Sequence, residues 1–242
     1  MKAGSINGIS FVPETVKHDH LDDLATAMTM CKDAFNVVPA LWKADIDAAF
    51  RRIPLKPEHR SGVVCIHSVY RQLAFVFGHR WAAGVAYKIE EVEWVSFHTA
   101  MPFGATASVY AWHRVGALIG AIARRLFKMP IYRYVDDYFA SERPETAEHS
   151  MQIFARLVRM LLGPTSISNK KLEWGNKLQI LGMCVAPEAD GIRLRLDPEK
   201  ARKWIAIIDE ALLNQHLDAG AADKLSGRLM WGTQHLFHRC IG

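Results

Sequence analysis

The sequence has few cysteines, no long apolar run and no glycine-rich nucleotide-binding motif. The four cysteines form no C-x-x-C pair, which argues against a zinc ribbon or a disulfide framework and favours a reducing compartment. The apolar run at residues 115–123 is too short to span a bilayer, and residues 1–10 lack the apolar core of a secretion signal. The missing G-x-x-x-x-G-K and G-x-G-x-x-G patterns argue against P-loop and Rossmann sites. We therefore expect an intracellular protein, cytoplasmic or nuclear, with no membrane partner.

The composition is that of an ordinary folded protein with a mild positive charge. The chain has 242 residues, 50% hydrophobic and 23% charged, which suffices for one large domain or two small ones around a buried core. These values exclude wholesale disorder and a coiled coil. The net charge of +5 permits a nucleic-acid partner without requiring one.

The order of periodic segments predicts a mixed α and β body followed by helices. Strand patterns occur at residues 40–46, 82–88, 92–98, 131–135, 138–140, 177–185 and 191–196, and those at 82–88 and 92–98 should form a hairpin. Helical patterns occur at residues 20–35, 48–52, 105–128, 144–162, from Asp197 onward, and 221–236. Asp197 should cap the helix that begins with Pro198. We expect an α+β fold with a helical C-terminal part.

Residues 61–80 do not fit this pattern. The segment contains no acidic residue, is rich in apolar side chains, and its removal would join EHR directly to WAAGVAYK. We expect an excursion whose ends lie near each other, since closing such a loop costs only roughly a few kcal/mol. A variable surface insertion and unspliced intron sequence are both open interpretations.

Aspartates beside predicted strands are the first candidates for chemistry. Asp45 ends the strand in KADIDAAF, and Asp136 and Asp137 lie between two β-rich segments in YVDDYF. Adjacent carboxylates need a counter-charge, and with a third carboxylate on a neighbouring strand they suit two hard divalent cations. An Asp-Asp pair alone is more often a solvated turn. Asp47 would share a face with Asp45 if the strand continued, but we expect it to cap the following helix.

Five short motifs occur in order along most of the chain. They are LWKADIDAAFRRIPL, MPFGATAS, YVDDYF, the lysines of NKKLEWG, and LQILG. Together they resemble the palm motifs of reverse transcriptases, and the PFG form of the second motif is similar to that of retrotransposon enzymes. The tyrosine-recombinase (DIRS-like) group is one candidate within that family.

The resemblance implies a polymerase right-hand palm, with a ferredoxin-like antiparallel sheet carrying helices on one face. It also implies partial fingers and a partial helical thumb. Residues 1–196 would form the fingers and palm, with the fingers at about 1–39 and 54–103 and an atypical insertion at 61–80. Residues 197–242 would form the partial thumb or connection.

The resemblance assigns catalytic and metal-binding roles to four residues. Asp45 and Asp136 would bind two Mg²⁺ ions, or Mn²⁺, and Asp137 would be an accessory ligand. Lys171, or its neighbour Lys170, would protonate the pyrophosphate leaving group. A solvated loop lysine is the competing interpretation of either position.

Substrate-binding roles fall on the residues around these motifs. The backbone N–H of Ile46 would meet the triphosphate. Phe50 would lie beneath the incoming sugar and leave no room for a 2′-OH, although a phenylalanine on a short helix is more often part of the core. Phe103 would pack near the nascent base pair, and Gly104 would permit close backbone approach to that pair. The primer grip would be Leu181-Gly182.

The implied activity is that of an RNA-directed DNA polymerase of a retroelement. Such a nucleotidyltransferase adds dNTPs to a primer 3′-OH on an RNA or DNA template. The alternatives are a non-catalytic nucleic-acid-binding remnant and an RNA-dependent RNA polymerase. A fragment or an inactive copy is also open, because residues 1–44 contain no match to the fingers Lys/Arg pair.

Overall fold

The computed structural model describes residues 15–62, 64–68, 86–88 and 93–237. The helices in this part are α1 (Leu21–Phe35), α2 (Thr106–Leu126), α3 (Pro144–Leu162), α4 (Pro198–Asn214) and α5 (Ala219–Phe237). The strands are β1 (Ala40–Asp45), β2 (Val64–Ser68), β3 (Ala86–Lys88), β4 (Glu93–Phe97), β5 (Ile131–Tyr134), β6 (Asp137–Glu142), β7 (Leu172–Gly175), β8 (Leu178–Ile180), β9 (Met183–Glu188) and β10 (Gly191–Leu196). Short 3₁₀ turns cover Ala49–Arg52, Pro57–Gly62 and Asn169–Lys171. The strands pair antiparallel, so the fold is mixed α and β with antiparallel sheets.

In the part of the chain that the structure describes, the predicted elements agree with it except at one strand, and β2 and β7 are strands that the sequence did not predict. The predicted cap of α4 is confirmed, because the Asp197 side chain accepts a hydrogen bond from the backbone N–H of Glu199 at 2.7 Å. The single strand predicted at residues 177–185 is wrong. The chain reverses there at Leu181 (φ 48°) and Gly182 (φ 77°), and the segment is the β8–β9 hairpin.

The largest sheet has four strands in the order β5-β6-β1-β7. In the centre, β1 pairs with β6 on one side and β7 on the other. Its residues Ala40, Leu41 and Trp42 are completely buried, because both faces of the sheet are covered. The apolar content of this short strand follows from that position.

Helices cover both faces of this sheet, which corrects the expected arrangement with helices on one face. On one face, Trp112 of α2 and Phe154 of α3 lie in a core with Trp42 and Tyr138. The Phe154 ring lies 5.4 Å from that of Trp42 and 4.7 Å from that of Tyr138. On the other face, a second core joins α1 to the β10-β9-β8 sheet. The central strands are therefore held from both sides.

A third sheet, in the order β2-β4-β3, contains the predicted hairpin. Its strands β3 and β4 pair as expected, although residues 81–85 and 89–92 lie outside the described residues. β2 pairs with β4 from Val64↔Phe97 to Ser68↔Glu93. This part of the segment 61–80 is therefore a strand of a sheet rather than an excursion from it. Residues 69–80 lie outside the described residues, so the proposed excursion remains a prediction there.

The chain ends in two helices that pack loosely on the body. None of the residues of α4 is buried, and Leu212 and Leu213 are 70% and 84% exposed. In α5, Leu225 is buried and Trp231 packs near the second core. No helix in the described ranges combines the length and apolar character needed to cross a membrane.

Candidate active site

Strand pairing brings the predicted carboxylates together. The β1–β6 register places Asp45 directly opposite Asp137. Just beyond that pair, the N–H of Ile46 donates to the carbonyl of Asp136 at 3.2 Å. Asp45 therefore lies at the same end of the central strands as the adjacent pair Asp136-Asp137, which is distant from it in the sequence.

The pair Asp136-Asp137 begins where the tight β5–β6 hairpin reverses. Tyr134 pairs with Asp137 across the hairpin, so Val135 and Asp136 form its turn. Val135 has φ 50°, a left-handed conformation that is strained for a β-branched residue. Strain of this kind clusters at functional sites, and here it directly precedes the paired aspartates.

Burial and mutual repulsion make the carboxylates harder to ionise. Burial raises the pKa of Asp136, and the nearby Asp45 adds to the rise. Burial, followed by the charges of Asp136 and Asp45, raises the pKa of Asp137 to about 6. Such a cluster is most stable when a cation lies beside it.

Lys171 is the cation closest to the cluster in the described part of the chain. Its Nζ lies 2.5 Å from Asp45 Oδ2 and 2.7 Å from Asp47 Oδ1. Burial lowers the pKa of Lys171, but its hydrogen bonds to the two carboxylates outweigh this effect and raise it. Lys170, the alternative position in the same 3₁₀ turn, lines the neighbouring cavity.

One expectation for the segment after Asp45 is wrong, and another stays a prediction. Asp47 does not cap the 3₁₀ turn, which begins after Ala48 without a side-chain cap, because its carboxylate pairs with Lys171 instead. The N–H of Ile46 is used by Asp136, and the N–H of Asp47 donates to the carbonyl of Ser166 at 2.8 Å. Binding of a triphosphate by the Ile46 N–H stays a prediction, and it would require this donor to leave the Asp136 carbonyl.

Phe50 and Phe103 lie side by side although they come from different motifs. Their rings meet edge to face with centroids 5.3 Å apart. Phe50 is half-buried at the margin of the first core, whereas Phe103 is 61% exposed. Phe50 is thus both a core residue and a surface that a ligand could touch. Gly104 has φ 83° with open space where a Cβ would stand, so glycine suits that turn.

Leu181 and Gly182 form the turn of the β8–β9 hairpin and face the C-terminal helices. A Cβ at Gly182 would lie 2.5 Å from Lys200 Nζ and 3.1 Å from the Trp231 ring. The Lys200 ammonium also lies over that ring, 5.9 Å from its centroid. The positive φ and the nearby Trp231 ring therefore favour glycine here, whereas the flexible end of the Lys200 side chain could move aside.

An open cavity of about 680 Å³ joins these parts. It extends from Asp45 and Asp137 past the Leu181-Gly182 turn to α4 and Trp231. Five lysines line it: Lys43, Lys170, Lys171, Lys200 and Lys203. Five carboxylates line the cavity as well: Asp45, Asp137, Glu173, Asp197 and Glu199. The lysine-lined cavity is therefore mixed in charge, with ammonium groups along its length that the phosphates of a polyanion could contact.

The sequence analysis missed the contribution of Lys43. It is bonded to Glu173 at 3.0 Å and donates to the carbonyl of Gln179 at 2.9 Å, and its charge opposes the pKa rise of Asp137. Its position two residues before Asp45 on the same strand could have indicated this contribution, because side chains at that spacing share a face of the sheet.

The donor set suits hard divalent cations, although the side chains are not arranged around one. Aspartate oxygens are the ligands that Mg²⁺ and Mn²⁺ prefer. Within the described ranges, no group of three or more His, Cys, Asp or Glu side chains has the arrangement to hold a metal ion. The Lys171 ammonium instead stands where a cation would meet Asp45. Ion binding would therefore require Lys171 to leave this carboxylate.

Comparison with known proteins gives remote likenesses among solved structures alone. No protein-family model matches the chain, and no curated protein matches it. Among solved structures, the foamy viral protease-reverse transcriptase in complex with an RNA/DNA hybrid is similar to it at 16% sequence identity and a TM-score of 0.47. The similarity covers 79% of this chain and 21% of that chain, so this chain spans about a fifth of that length.

The raised pKa of Asp137 predicts a pH-dependent gain from Asp137→Asn. A carboxyl group whose pKa is higher in the folded state stabilises the fold below its unfolded pKa, near 3.8, and loses that contribution as the pH rises through about 6. Without divalent cations, the variant should therefore gain about 1–2 kcal/mol in free energy of unfolding at pH 7.5, after allowance for partial solvent exposure. Urea unfolding between pH 4 and pH 8 measures this gain.

The control for this experiment is Asp209→Asn, at an exposed position of α4. It should change the free energy of unfolding by less than about 0.5 kcal/mol at every pH. A gain in Asp137→Asn that is equal at pH 4 and pH 7.5, or a loss at pH 7.5, would contradict the electrostatic account.

Proposed function

We propose that the chain is the palm-containing part of a retroelement polymerase and adds deoxynucleotides to a primer 3′-OH on an RNA template. The observation that supports this most is the meeting of Asp45, Asp136 and Asp137 at the end of the β1–β6 ladder, with Lys171 beside them. In this proposal the β5-β6-β1-β7 sheet is the core of the palm. The helices α4 and α5 are part of a thumb, and the fingers lie within residues 1–39 and 54–103.

The three aspartates would hold two Mg²⁺ ions, with Asp137 as the accessory ligand. When bound, such ions stabilise charge on the attacking and leaving oxygens of a phosphoryl displacement. The chain's own contribution would be positioning and electrostatics. Lys171, once released from Asp45, would hold a proton at Nζ for the pyrophosphate leaving group.

The lysine-lined cavity would hold the primer and template. Phosphates attract lysines without regard to sequence, and the wall from Lys43 to Lys203 supplies them. The Leu181-Gly182 turn lies where it could support the primer strand between the carboxylates and α4. The pair of Phe50 and Phe103 would contact the sugar and base of the incoming nucleotide.

A second candidate function is template binding without catalysis. Two observations favour it. The Lys171 ammonium is bonded to the Asp45 carboxylate, and the Ile46 N–H donates to the carbonyl of Asp136 rather than to a ligand. Such a remnant would keep the lysine-lined cavity and bind nucleic acid in a salt-sensitive way, but it would not extend a primer. An RNA-dependent RNA polymerase is the further alternative, and it would incorporate ribonucleotides.

Primer extension on an RNA template with Mg²⁺, with dNTPs and rNTPs in parallel, tests the proposal. Extension with dNTPs should fall at least about 100-fold in Asp45→Asn and in Asp136→Asn, because each change removes a ligand charge from the reacting centre. Template binding should persist in both variants. Asp209→Asn should extend like the unsubstituted chain.

Each of the other outcomes would contradict the proposal and would indicate a different conclusion. Salt-sensitive binding without extension by the unsubstituted chain would identify the non-catalytic remnant. Extension with rNTPs in preference to dNTPs would identify the RNA polymerase. Extension that survives loss of Asp45 and of Asp136 would show that the reaction does not use this carboxylate cluster.

The ring of Phe50 predicts sugar discrimination. In Phe50→Ala, ribonucleotide incorporation should rise by about tenfold or more relative to dNTPs, because the space beside C2′ opens. The matched control is Phe35→Ala, which removes a 55% exposed ring at the end of α1. Unchanged discrimination together with a loss of stability would show that Phe50 acts only as a core residue.

A further inference from the structure

The strained Val135 is held by two buried donors that converge on its carbonyl. Trp112 Nε1 and Arg133 Nη1 each donate to Val135 O at 2.8 Å. Trp112 is completely buried and Arg133 is only 6% exposed. Two donors on one carbonyl saturate its acceptor positions and fix the direction in which it points.

The fold makes a specific place for the Arg133 guanidinium. Its second amino group lies 2.8 Å from His113 Nδ1, so it bonds to an imidazole and a carbonyl rather than to a carboxylate. Gly116 of α2 faces it so closely that a Cβ there would stand 3.0 Å from Nη1. Burial lowers the pKa of Arg133 although the charge of Asp19 opposes this effect, so packing alone does not explain an arginine at this position.

The segment before α1 holds the backbone of the same strand. The N–H of Asp19 donates to the carbonyl of Arg133 at 3.1 Å, and the N–H of Arg133 donates to Asp19 Oδ2 at 2.8 Å. The N–H of Val135 lies 3.4 Å from His18 Nδ1. Residues 18–19 thus cover the free edge of β5 up to the turn.

We propose that Arg133 and Trp112 are positioning residues that hold Val135 in its left-handed conformation and thereby place Asp136 and Asp137 against Asp45. Neither residue touches the carboxylates, so both act through the backbone of the turn. Without the two donors, Val135 would relax toward an ordinary negative φ, and the direction of the chain entering Asp136 would change. The consequence for catalysis rests on the proposed function, but the conformational claim does not.

The test compares Arg133→Met with Arg124→Met. Arg124 Nη1 donates to the carbonyl of Ile131, at the other end of β5, at 2.9 Å. Both variants therefore lose an arginine bond to a carbonyl of one strand, and only Arg133→Met affects the turn. The second turn variant is Trp112→Phe, which removes the indole N–H but keeps an aromatic ring. It tests the inference even if Arg133→Met does not fold.

The primary readout is the Val135 backbone conformation, measured by NMR from the H^N–Hα coupling and the Cα and Cβ shifts. The left-handed signature should be lost or averaged in Arg133→Met and Trp112→Phe and retained in Arg124→Met. Retention in both turn variants would overturn the inference, as would loss in Arg124→Met to the same extent.

Primer extension is the second readout and separates this inference from the proposed function. In an active chain, Arg133→Met should lower kcat on the order of 100-fold with little change in KM for dNTPs, because the carboxylates are misplaced while the cavity is intact. An inactive unsubstituted chain with the expected Val135 changes would refute the polymerase and support the positioning role. If the unsubstituted chain is active, and both turn variants keep the Val135 signature and kcat, the result would support the polymerase and refute the positioning role.

Discussion

The pairing of β1 with β6 is the constraint on which the candidate site depends. The ladder places Asp45 opposite Asp137 and continues into the bond between Ile46 and the carbonyl of Asp136. Burial is the main cause of the raised pKa values of Asp136 and Asp137, and repulsion between carboxylates so close adds to it. The backbone hydrogen bonds and the two cores must therefore hold the strands together against this repulsion.

Helices on both faces supply that support. The Trp42, Tyr138 and Phe154 cluster fixes one side of the central strands, and α1 with the β8–β9 hairpin fixes the other. Aromatic contacts such as those of Phe154 contribute about 0.5–1.5 kcal/mol each beyond the area they bury. Lys171 offsets part of the repulsion through its contacts with Asp45 and Asp47. A divalent cation would replace this ammonium by a larger charge in the same place.

The sequence predicted what depends on local pattern and missed what depends on contacts between distant segments. The periodicity of the chain predicted the helices, most strands and the cap at Asp197. It did not predict the reversal at Leu181-Gly182, because the apolar residues on both sides of the turn resemble one continuous strand. Likewise, the cap assigned to Asp47 followed a local preference, whereas Lys171 from a distant 3₁₀ turn binds that carboxylate in the structure.

The candidate carboxylates were named from motif order, but their electrostatics required the structure. No local pattern shows that Asp137 lies opposite Asp45, or that Arg133 and Trp112 both reach the Val135 carbonyl. The first is a matter of strand register and the second of how α2 packs against the hairpin. Both are long-range properties that a single sequence does not specify.

The most direct test of the account is Mn²⁺ binding in the presence of primer, template and a dNTP. Electron paramagnetic resonance measures this binding. If the cluster is the cation site, the chain binds Mn²⁺ with a defined stoichiometry, and the affinity falls at least about tenfold in Asp45→Asn and in Asp136→Asn but not in Asp209→Asn. Absence of Mn²⁺ binding, or binding that both substitutions leave unchanged, would contradict the central claim.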